Sequence, residues 1–312
     1  MSANGILAVD KPVGTRSTDC VQKLRRIFGK KIKTGHAGTL DSTASGLLLI
    51  LVGQATRLSE FLMGLPKRYE GTVTFGSETD TDDASGEAIR TAPWRHITQS
   101  EVERALCGFL GCRMQSPPSV SAVHINGERA HHLARSGLKI LPAAKPVIFT
   151  DIKITSPLNA EGSVTFEIGC RRGTYIRSFA RDLGQILGSA AHLSALRRSA
   201  SGPFTAEKAF PAEKLYAMNS EELTSCLLPV ESLCKSSASY RADEIQAEKL
   251  INGLPVKLSS LQRISLPVHS GDTEKIIVTA RSLFSICRKR KTAGSFELRP
   301  AVNLISSEEA TE

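Results

Sequence analysis

The chain has 312 residues, 41% of them hydrophobic and 23% charged, which is the size and composition of a globular protein with one typical domain and a smaller one. No run approaches the ~18 apolar residues of a membrane span and no signal-peptide pattern opens the chain, so a membrane protein is excluded and we expect a cytoplasmic one. The seven cysteines are scattered without a Cys-x-x-Cys pair. This argues against a disulfide framework and a zinc site, and it predicts reduced thiols and no bound metal.

The formal charge of +9 indicates a negatively charged partner. The first 40 residues hold eight basic side chains against Asp10 and Asp19, a net +6: Lys11, Arg16, Lys23, Arg25, Arg26, Lys30, Lys31 and Lys33. A merely solvated basic face is the alternative. The motif that follows this segment favours a nucleic acid.

The N-terminal elements are a strand and a helix. Residues 6–9 form a short apolar run that predicts a strand, and a turn with Pro and Gly follows it. Ser17 is then placed to cap a helix in which Val21, Leu24 and Phe28 recur at helical spacing. The basic residues of this helix fall off that stripe, which predicts an exposed basic face.

Residues 35–46 form a glycine-rich loop that runs into the apolar strand at 47–52. Three glycines in twelve residues indicate a sharp bend or a close approach of another group. His36 and Asp41 bracket a Gly-Thr-Leu turn within this loop. Asp41 is either a turn or cap residue or a reacting group on a loop that a rigid strand holds.

Residues 58–86 predict a short helix, a strand and an acidic turn. Leu58, Phe61 and Leu62 mark a short helix that ends near Gly64. Residues 67–75 alternate as a strand, with Tyr69 on the inward face, where a core role is the alternative to a functional one. The acidic run at 79–86 lacks the spacing of a calcium loop and is interpreted as an acidic turn.

Further along, Thr98 and Glu101 form a capping box at the start of a helix. Residues 147–152 and 164–170 predict paired strands, the second of which leads into a turn at Gly173 and a helix from Thr174. This arrangement puts Tyr175 and Arg177 at the mouth of the strand.

After residue 235 a Ser-rich stretch, 235–239, is interpreted as a linker. The tail beyond it contains short alternating runs at 275–280 and 283–287 and a basic cluster at 288–291, expected to contact phosphate.

The block from Gly35 to Asp41 resembles the signature of the bacterial tRNA pseudouridine-55 synthase family (TruB family, type 1). The Asp-Lys-Pro element at 10–12, the Lys-x-Tyr pattern at 67–69 and the Gly-Thr-Tyr-Ile-Arg block at 173–177 resemble further motifs of that family, over about residues 6–200. The resemblance implies an α+β fold with a mixed central β-sheet flanked by helices, and a small C-terminal β-barrel of PUA-like type. It divides the chain into a catalytic domain at 1–235, with an RNA-gripping insertion at about 115–145, and an RNA-binding domain at 236–312.

The resemblance also implies roles for site residues. Asp41 is the expected nucleophile, Arg177 its partner, and Tyr69 a residue that stacks on the target base and takes part in proton transfer. Tyr175 and Leu196 are expected to line the base pocket. His36 is expected either to hold the RNA in its flipped geometry or to order the loop by hydrogen bonding.

Several positions depart from the family pattern. Ser42 and Thr43 follow Asp41, where the family more often has Pro next, and a Pro would stiffen the loop. Val120, His124 and His131 stand where the family usually has Tyr, Lys and Tyr, which predicts weaker RNA contact. Neither these histidines nor His132 lie at metal-ligand spacing from a Cys or carboxylate.

The expected function is the isomerisation of uridine 55 in the T-loop of tRNA to pseudouridine by base flipping, without a cofactor. The expected partner is the tRNA T-stem-loop, with no membrane and no guide RNA, and the protein is expected to be a monomer. A non-catalytic tRNA-binding or folding factor is the main alternative. A glycoside hydrolase is less favoured because no second acid lies near Asp41 in sequence. The sequence leaves open whether Asp41 attacks C1′ or C6, or whether a glycal forms.

Overall fold

The computed structural model describes residues 3–120, 124–125, 128–129, 142–266, 275–292 and 294–305. Its helices are α1 (Ser17–Phe28), α2 (Ser59–Gly64), α3 (Gln99–Cys107), α4 (Ile176–Ile186), α5 (Ala212–Tyr216), α6 (Ser220–Ser225) and α7 (Glu244–Ile251). Short 3₁₀ turns lie at Gly53–Leu58, Ala206–Lys208, Val230–Lys235 and Leu258–Ser260. The strands are β1 (Gly5–Lys11), β2 (Thr34–His36), β3 (Ser45–Val52), β4 (Lys67–Phe75), β5 (Ser77–Thr79), β6 (Ala88–Thr91), β7 (Gly111–Gln115), β8 (His124–Ile125), β9 (Glu128–Arg129), β10 (Lys145–Ser156), β11 (Ser163–Cys170), β12 (Ala191–Ser201), β13 (Phe204–Thr205), β14 (Phe210–Pro211), β15 (Ser239–Arg241), β16 (Val256–Lys257), β17 (Gln262–Ser265), β18 (Lys275–Thr279), β19 (Leu283–Thr292) and β20 (Ser295–Ile305).

A mixed sheet forms the centre of the molecule. Within the described residues it has ten strands in the order β14-β1-β3-β12-β4-β11-β10-β7, with β13 paired to β12 and β2 to β3. The pairs β3–β12 and β1–β14 are parallel, and the other neighbours are antiparallel. This confirms the predicted mixed sheet and brings β3, β12, β4 and β11 side by side at its middle.

Strand β3 is buried on both faces, which explains its unbroken apolar sequence. Leu47, Leu49 and Leu51 share a core with side chains of the C-terminal sheet. Leu48 and Ile50 pack in a second core together with Leu24 and Phe28 of α1, among others. The loop that carries Asp41 therefore leads into the most firmly packed strand of the sheet.

A third core packs the other half of the sheet against α3 and α4. Four phenylalanines form its centre with edge-to-face or tilted rings, their centroids 4.8–5.9 Å apart in the contacting pairs: Phe109, Phe149, Phe166 and Phe179. Because Phe179 belongs to α4, this cluster fixes the helix whose first turn carries Arg177.

The C-terminal strands form a second sheet. In the described part of the chain it has six strands in the order β16-β20-β19-β18-β15-β17, curled into a half-barrel that is consistent with the predicted PUA-like module. Its basic cluster at 288–291 lies on the exposed half of β19.

The Ser-rich stretch at 235–239, interpreted from sequence as a linker, packs against the C-terminal sheet. Ser237 and Ser239 are buried, with their hydroxyls bonded to the Lys275 carbonyl and to Ser265 Oγ. Small hydroxyl side chains fit where the strand crosses close to β17 and β18, and composition alone cannot distinguish that from a linker.

Several local predictions can be compared with the structure. The capping box of Thr98 and Glu101 is confirmed at the start of α3. The predicted Ser17 cap is wrong, because Arg16 occupies the N-cap position and makes no side-chain capping bond. Most of the expected RNA-gripping insertion, with His131 and His132, lies outside the described residues, as does the side chain of His124.

Candidate active site

The backbone of the Asp41 loop is held from one side by the turn after β1. The Ser17 hydroxyl donates to the Leu40 carbonyl at 2.7 Å and accepts from the Leu40 amide at 2.9 Å. The fully buried Lys11 ammonium donates to the Ala44 carbonyl at 2.6 Å, and the Gly14 amide donates to the Ser42 carbonyl at 2.7 Å. Desolvation lowers the pKa of Lys11. Both flanks of Asp41 are thus fixed to the N-terminal segment.

Arg198 on β12 holds the same loop from the other side. Its guanidinium donates to the carbonyls of Leu47, Thr39 and Gly38 at 2.7, 3.3 and 3.3 Å. Gly46 makes this approach possible, since it has a φ of +100° and a Cβ there would lie 2.4 Å from the Arg198 carbonyl oxygen. Close contact between β3 and β12 therefore requires glycine at this point.

Arg177 enters the site from the first turn of α4. The chain turns at Gly173, whose φ is +91°, and the Gln115 side chain then bonds both the amide and the carbonyl of Tyr175. Arg177 Nε lies 3.0 Å from Asp41 Oδ2, and the Arg177 side chain is 8% exposed against 42% for Asp41. The structure thus brings together the two side chains expected to pair, and the aspartate still faces solvent.

Asp83 is a second carboxylate beside Arg177. Its Oδ1 accepts bonds from the Thr81 hydroxyl and from the amide and hydroxyl of Ser85. Its Oδ2 lies 3.9 Å from Arg177 Nε. Burial works to raise the pKa of Asp83, but the bonds from Ser85 and Thr81 and the charge of Arg177 outweigh it and leave the pKa below its usual value.

A buried ion pair between Asp82 and Arg181 holds the turn that carries Asp83. Arg181 Nη1 lies 2.7 Å from Asp82 Oδ2, and Arg181 Nη2 donates to the Ser116 carbonyl at 2.9 Å. Asp82 has a φ of +60°, rare for a non-glycine residue. Burial raises the pKa of Asp82 to about 6 despite Arg181 and Arg177. The turn interpreted from sequence as merely acidic is therefore part of the site.

A cavity of about 520 Å³ opens above Asp41 and Arg177. Tyr69, Tyr175 and Leu196, to which the family resemblance gives contacts with the target base, all line it. Burial raises the pKa of both tyrosines, so their phenols stay protonated at neutral pH; Tyr69 is also hydrogen-bonded to Arg198.

Two further groups line the floor of this cavity. Lys67 donates to the carbonyls of Met63 and Leu65, at the C-terminal end of α2, and desolvation lowers its pKa to about 8. Burial raises the pKa of Cys170 to about 12, so this thiol is not ionised. With a pKa of about 8, Lys67 carries a positive charge at neutral pH in the same cavity as Tyr69 and Tyr175.

His36 lies on β2 and does not line the cavity. It is half-buried, and within the described residues its buried Nδ1 has no hydrogen-bond partner. Desolvation and the charge of Arg198 lower the pKa of His36, so the ring is neutral. No loop-ordering hydrogen bond to Nδ1 is observed.

Sequence reasoning missed four residues that build the site: Asp83, Arg198, Lys67 and Ser17. A signal existed for Arg198, because adjacent strand residues face opposite sides and one of the pair Arg197 and Arg198 had to point inward. Arg197 makes a bidentate pair with Asp10 at 2.8 and 3.0 Å, while Arg198 is 3% exposed. No comparable signal marks Asp83.

No group of three His, Cys, Asp or Glu side chains in the described part of the chain is arranged to hold a metal ion. None of the described helices has the length and apolar character needed to cross a bilayer.

Comparison with known proteins gives the same picture over most of the chain. The family model "TruB family pseudouridylate synthase (N terminal domain)" matches residues 25–176, and the model "tRNA pseudouridylate synthase B C-terminal domain" matches residues 177–235. A protein named tRNA pseudouridine synthase B from Paracoccus denitrificans is 40% identical over 252 residues, covering 81% of this chain and 83% of the relative. A protein of the same name from Mycobacteroides abscessus is 38% identical over 279 residues, with 87% and 91% covered.

Among solved structures, one described as "Crystal Structure of a Cbf5-Nop10-Gar1 Complex" has a chain that superposes with a TM-score of 0.71 at 20% identity, covering 97% of this chain and 85% of that one. This similarity shows the fold alone. Together with the two family models and the relatives near 40% identity, it leads to one conclusion: the chain belongs to the TruB family of pseudouridylate synthases and is an RNA pseudouridine synthase.

Proposed function

We propose that this protein converts uridine 55 in the T-loop of tRNA to pseudouridine, with Asp41 as the nucleophile. The observation that carries the proposal is the Asp41 carboxylate, half-exposed at the wall of the cavity and paired with Arg177 at 3.0 Å. The relatives named tRNA pseudouridine synthase B support tRNA as the substrate.

The reaction is an isomerisation that needs no added reactant. The N1–C1′ bond of the uridine breaks, the uracil turns and the C5–C1′ bond forms, while the C5 proton leaves to solvent and N1 takes up a proton from solvent. A carboxylate must be ionised and correctly aimed to start this sequence. The ion pair with Arg177 at 3.0 Å supports the second requirement, because it restrains the side-chain rotamer of Asp41. Attack at C1′, attack at C6 and removal of the C2′ proton all begin from this carboxylate.

The target base must leave the RNA stack to reach Asp41. Extrusion of a base costs a few kcal/mol, and stacking on an aromatic side chain recovers about 1–3 kcal/mol for each contact. Tyr69, Tyr175 and Leu196 line the cavity, and we propose that they make these contacts with the flipped base. The cavity volume of about 520 Å³ lies in the ~300–1,000 Å³ range of small-ligand pockets.

Tyr69 is proposed both to stack on the base and to take part in proton transfer. Its raised pKa supports stacking more directly, because a protonated phenol is a weak base. The proton-transfer role stays a prediction. His36 lies outside the cavity lining, so for this residue we propose contact with RNA that surrounds the flipped base.

Basic side chains lie at the cavity and on α1. Arg171 and Arg172 line the cavity, and Lys23, Arg25 and Arg26 are exposed on α1. We propose that the phosphate backbone of the RNA contacts these cations. We further propose that residues 1–235 act as the catalytic domain, with an RNA-gripping insertion at about 115–145. Residues 236–312 then act as an RNA-binding domain whose cluster at 288–291 contacts phosphate.

We propose that the protein works as a monomer in the cytoplasm and without a guide RNA. The test uses the purified protein, a tRNA transcript and a bare T-stem-loop, followed by mapping of pseudouridine after carbodiimide modification. We expect modification at position 55 in both RNAs with no other macromolecule present. Tight tRNA binding without pseudouridine would favour a tRNA-folding role, and modification elsewhere would refute the site specificity.

A further inference from the structure

Thr43 lies in the turn that carries Asp41, and it makes a contact that the proposed reaction does not yet use. The Ala44 amide donates to the Asp41 carbonyl at 3.1 Å, which makes Ser42 and Thr43 the central residues of a tight turn. The Thr43 hydroxyl donates to Asp83 Oδ2 at 3.1 Å. This bond links the turn to a residue 40 positions away in the chain.

The bond matters because two carboxylates compete for one guanidinium. Arg177 Nε lies 3.0 Å from Asp41 Oδ2 and 3.9 Å from Asp83 Oδ2, so the two oxygens differ by less than an ångström in distance from the same N–H. The other contacts of Arg177 hold Nη1, which donates to the Thr81 and Val120 carbonyls. They anchor Nη1, and both carboxylate oxygens lie on the Nε side of the guanidinium.

The hydrogen bonds of Asp83 show where Thr43 acts. Oδ1 is saturated by Thr81 and Ser85. Oδ2 has the Thr43 hydroxyl within hydrogen-bond distance and Arg177 Nε beyond it. A carboxylate oxygen that already accepts a bond attracts a second cationic group less strongly, so an occupied Oδ2 leaves the Arg177 guanidinium paired with Asp41.

We infer that Thr43 is a positioning residue for the Asp41–Arg177 pair, since its hydroxyl occupies Asp83 Oδ2 and ties the Asp41 turn to the acidic turn. The inference rests on the proposed role of Asp41. The Thr43–Asp83 bond also restrains the turn that a Pro after Asp41 would otherwise stiffen.

The test compares Thr43→Val, which removes the hydroxyl at nearly constant shape, with Thr43→Ser, which keeps it. Tritium release from T-stem-loop RNA carrying [5-³H]uridine gives kcat and KM. We expect Thr43→Val to lower kcat about tenfold with KM within about twofold, and Thr43→Ser to stay within about twofold of wild type. Thr165→Val, which removes a hydroxyl that pairs with Thr72 on the sheet, is the matched control and should leave kcat unchanged.

A double mutant separates a positioning role from a general structural one. If Thr43 acts through Asp83, Thr43→Val should change kcat by less than about twofold in an Asp83→Asn background. An equal loss in both backgrounds overturns the inference. So does a Thr43→Val kcat within twofold of wild type when Asp41→Asn is inactive, a result that leaves the proposed function intact.

A second readout requires no RNA. The ¹⁵N–¹H resonance of Arg177 Nε reports how the two carboxylates lie around that nitrogen. We expect it to shift in Thr43→Val and to match wild type in Thr43→Ser. An unchanged resonance in Thr43→Val overturns the inference even if the wild-type protein turns over no T-stem-loop, which would refute the proposed function separately.

Discussion

Ser17→Ala is the substitution whose effect follows most directly from the structure. The Ser17 side chain is 2% exposed, and its hydroxyl both donates to the carbonyl and accepts from the amide of Leu40. Alanine lacks this hydroxyl, so the amide and the carbonyl of the buried Leu40 both lose their hydrogen-bond partner. Leu40 is the residue before Asp41, so the change affects stability and the site together.

The magnitude follows from the two unpaired groups. A buried donor or acceptor without a partner costs about 1–3 kcal/mol. Two of them, partly relaxed by local movement, predict a loss of about 3 kcal/mol in the free energy of unfolding, a large share of the 5–15 kcal/mol typical of a domain. We expect kcat to fall by about tenfold as well, because the backbone that aims Asp41 loses one of its anchors.

Urea unfolding and tritium release from the labelled T-stem-loop measure the two effects. The control is Ser232→Ala, which removes an exposed hydroxyl bond to the Pro229 carbonyl and should change stability by less than about 1 kcal/mol. If Ser17→Ala unfolds within about 0.5 kcal/mol of wild type and keeps full turnover, the argument that Ser17 holds the Asp41 loop is refuted.

Three other substitutions test the remaining parts of the site. Arg198→Lys keeps the charge but not the planar fork that reaches the carbonyls of Gly38, Thr39 and Leu47, so we expect a loss of about 2–3 kcal/mol in unfolding free energy, measured in urea. An unchanged midpoint would show that these bonds do not stabilise the loop. Tyr69→Phe keeps the stacking ring and removes the hydroxyl, so RNA affinity by filter binding should stay within about twofold while turnover falls about 100-fold or more; full turnover would limit Tyr69 to stacking. The pKa of Lys67 is about 8 in the folded protein and 10.5 in the unfolded chain. Between pH 8 and 10.5 the unfolded state therefore binds more protons, so the free energy of unfolding rises with pH in this range. Relative to Lys67→Met, the wild type should therefore gain up to about 3 kcal/mol in unfolding free energy between pH 8 and 10.5. If the difference in unfolding free energy between the two proteins does not change with pH, the lowered pKa of Lys67 is refuted.

The parts of the fold that sequence predicted are those with strong local patterns. The alternation at 67–75, the capping box at Thr98 and the apolar run at 47–52 each carry their own structural signal, and each forms the predicted element. Asp41, Tyr69 and Arg177 were identified by motif resemblance, and the fold brings all three to one cavity.

Residues that act through tertiary contacts were not predictable in this way. Ser17 is a good cap residue by type, but in the fold its hydroxyl faces Leu40, which is 23 positions away. Asp83 looks like any acid in a turn, because its burial depends on Arg177 arriving from a distant helix. Ser237 lies in a Ser-rich stretch that is typical of a linker, but its side chain is buried. In each case the decisive partner is far along the chain, where local propensity carries no information.

The central claim is that Asp41 performs the chemistry and does not simply bind RNA. The direct measurement is tritium release from C5-labelled T-stem-loop by Asp41→Asn, with RNA affinity determined in parallel and Asp151→Asn, an exposed carboxylate paired with Arg68, as the control. We expect Asp41→Asn to bind the RNA within about threefold of wild type and to release no tritium above background, while Asp151→Asn behaves as wild type. Turnover by Asp41→Asn within about tenfold of wild type would contradict this claim.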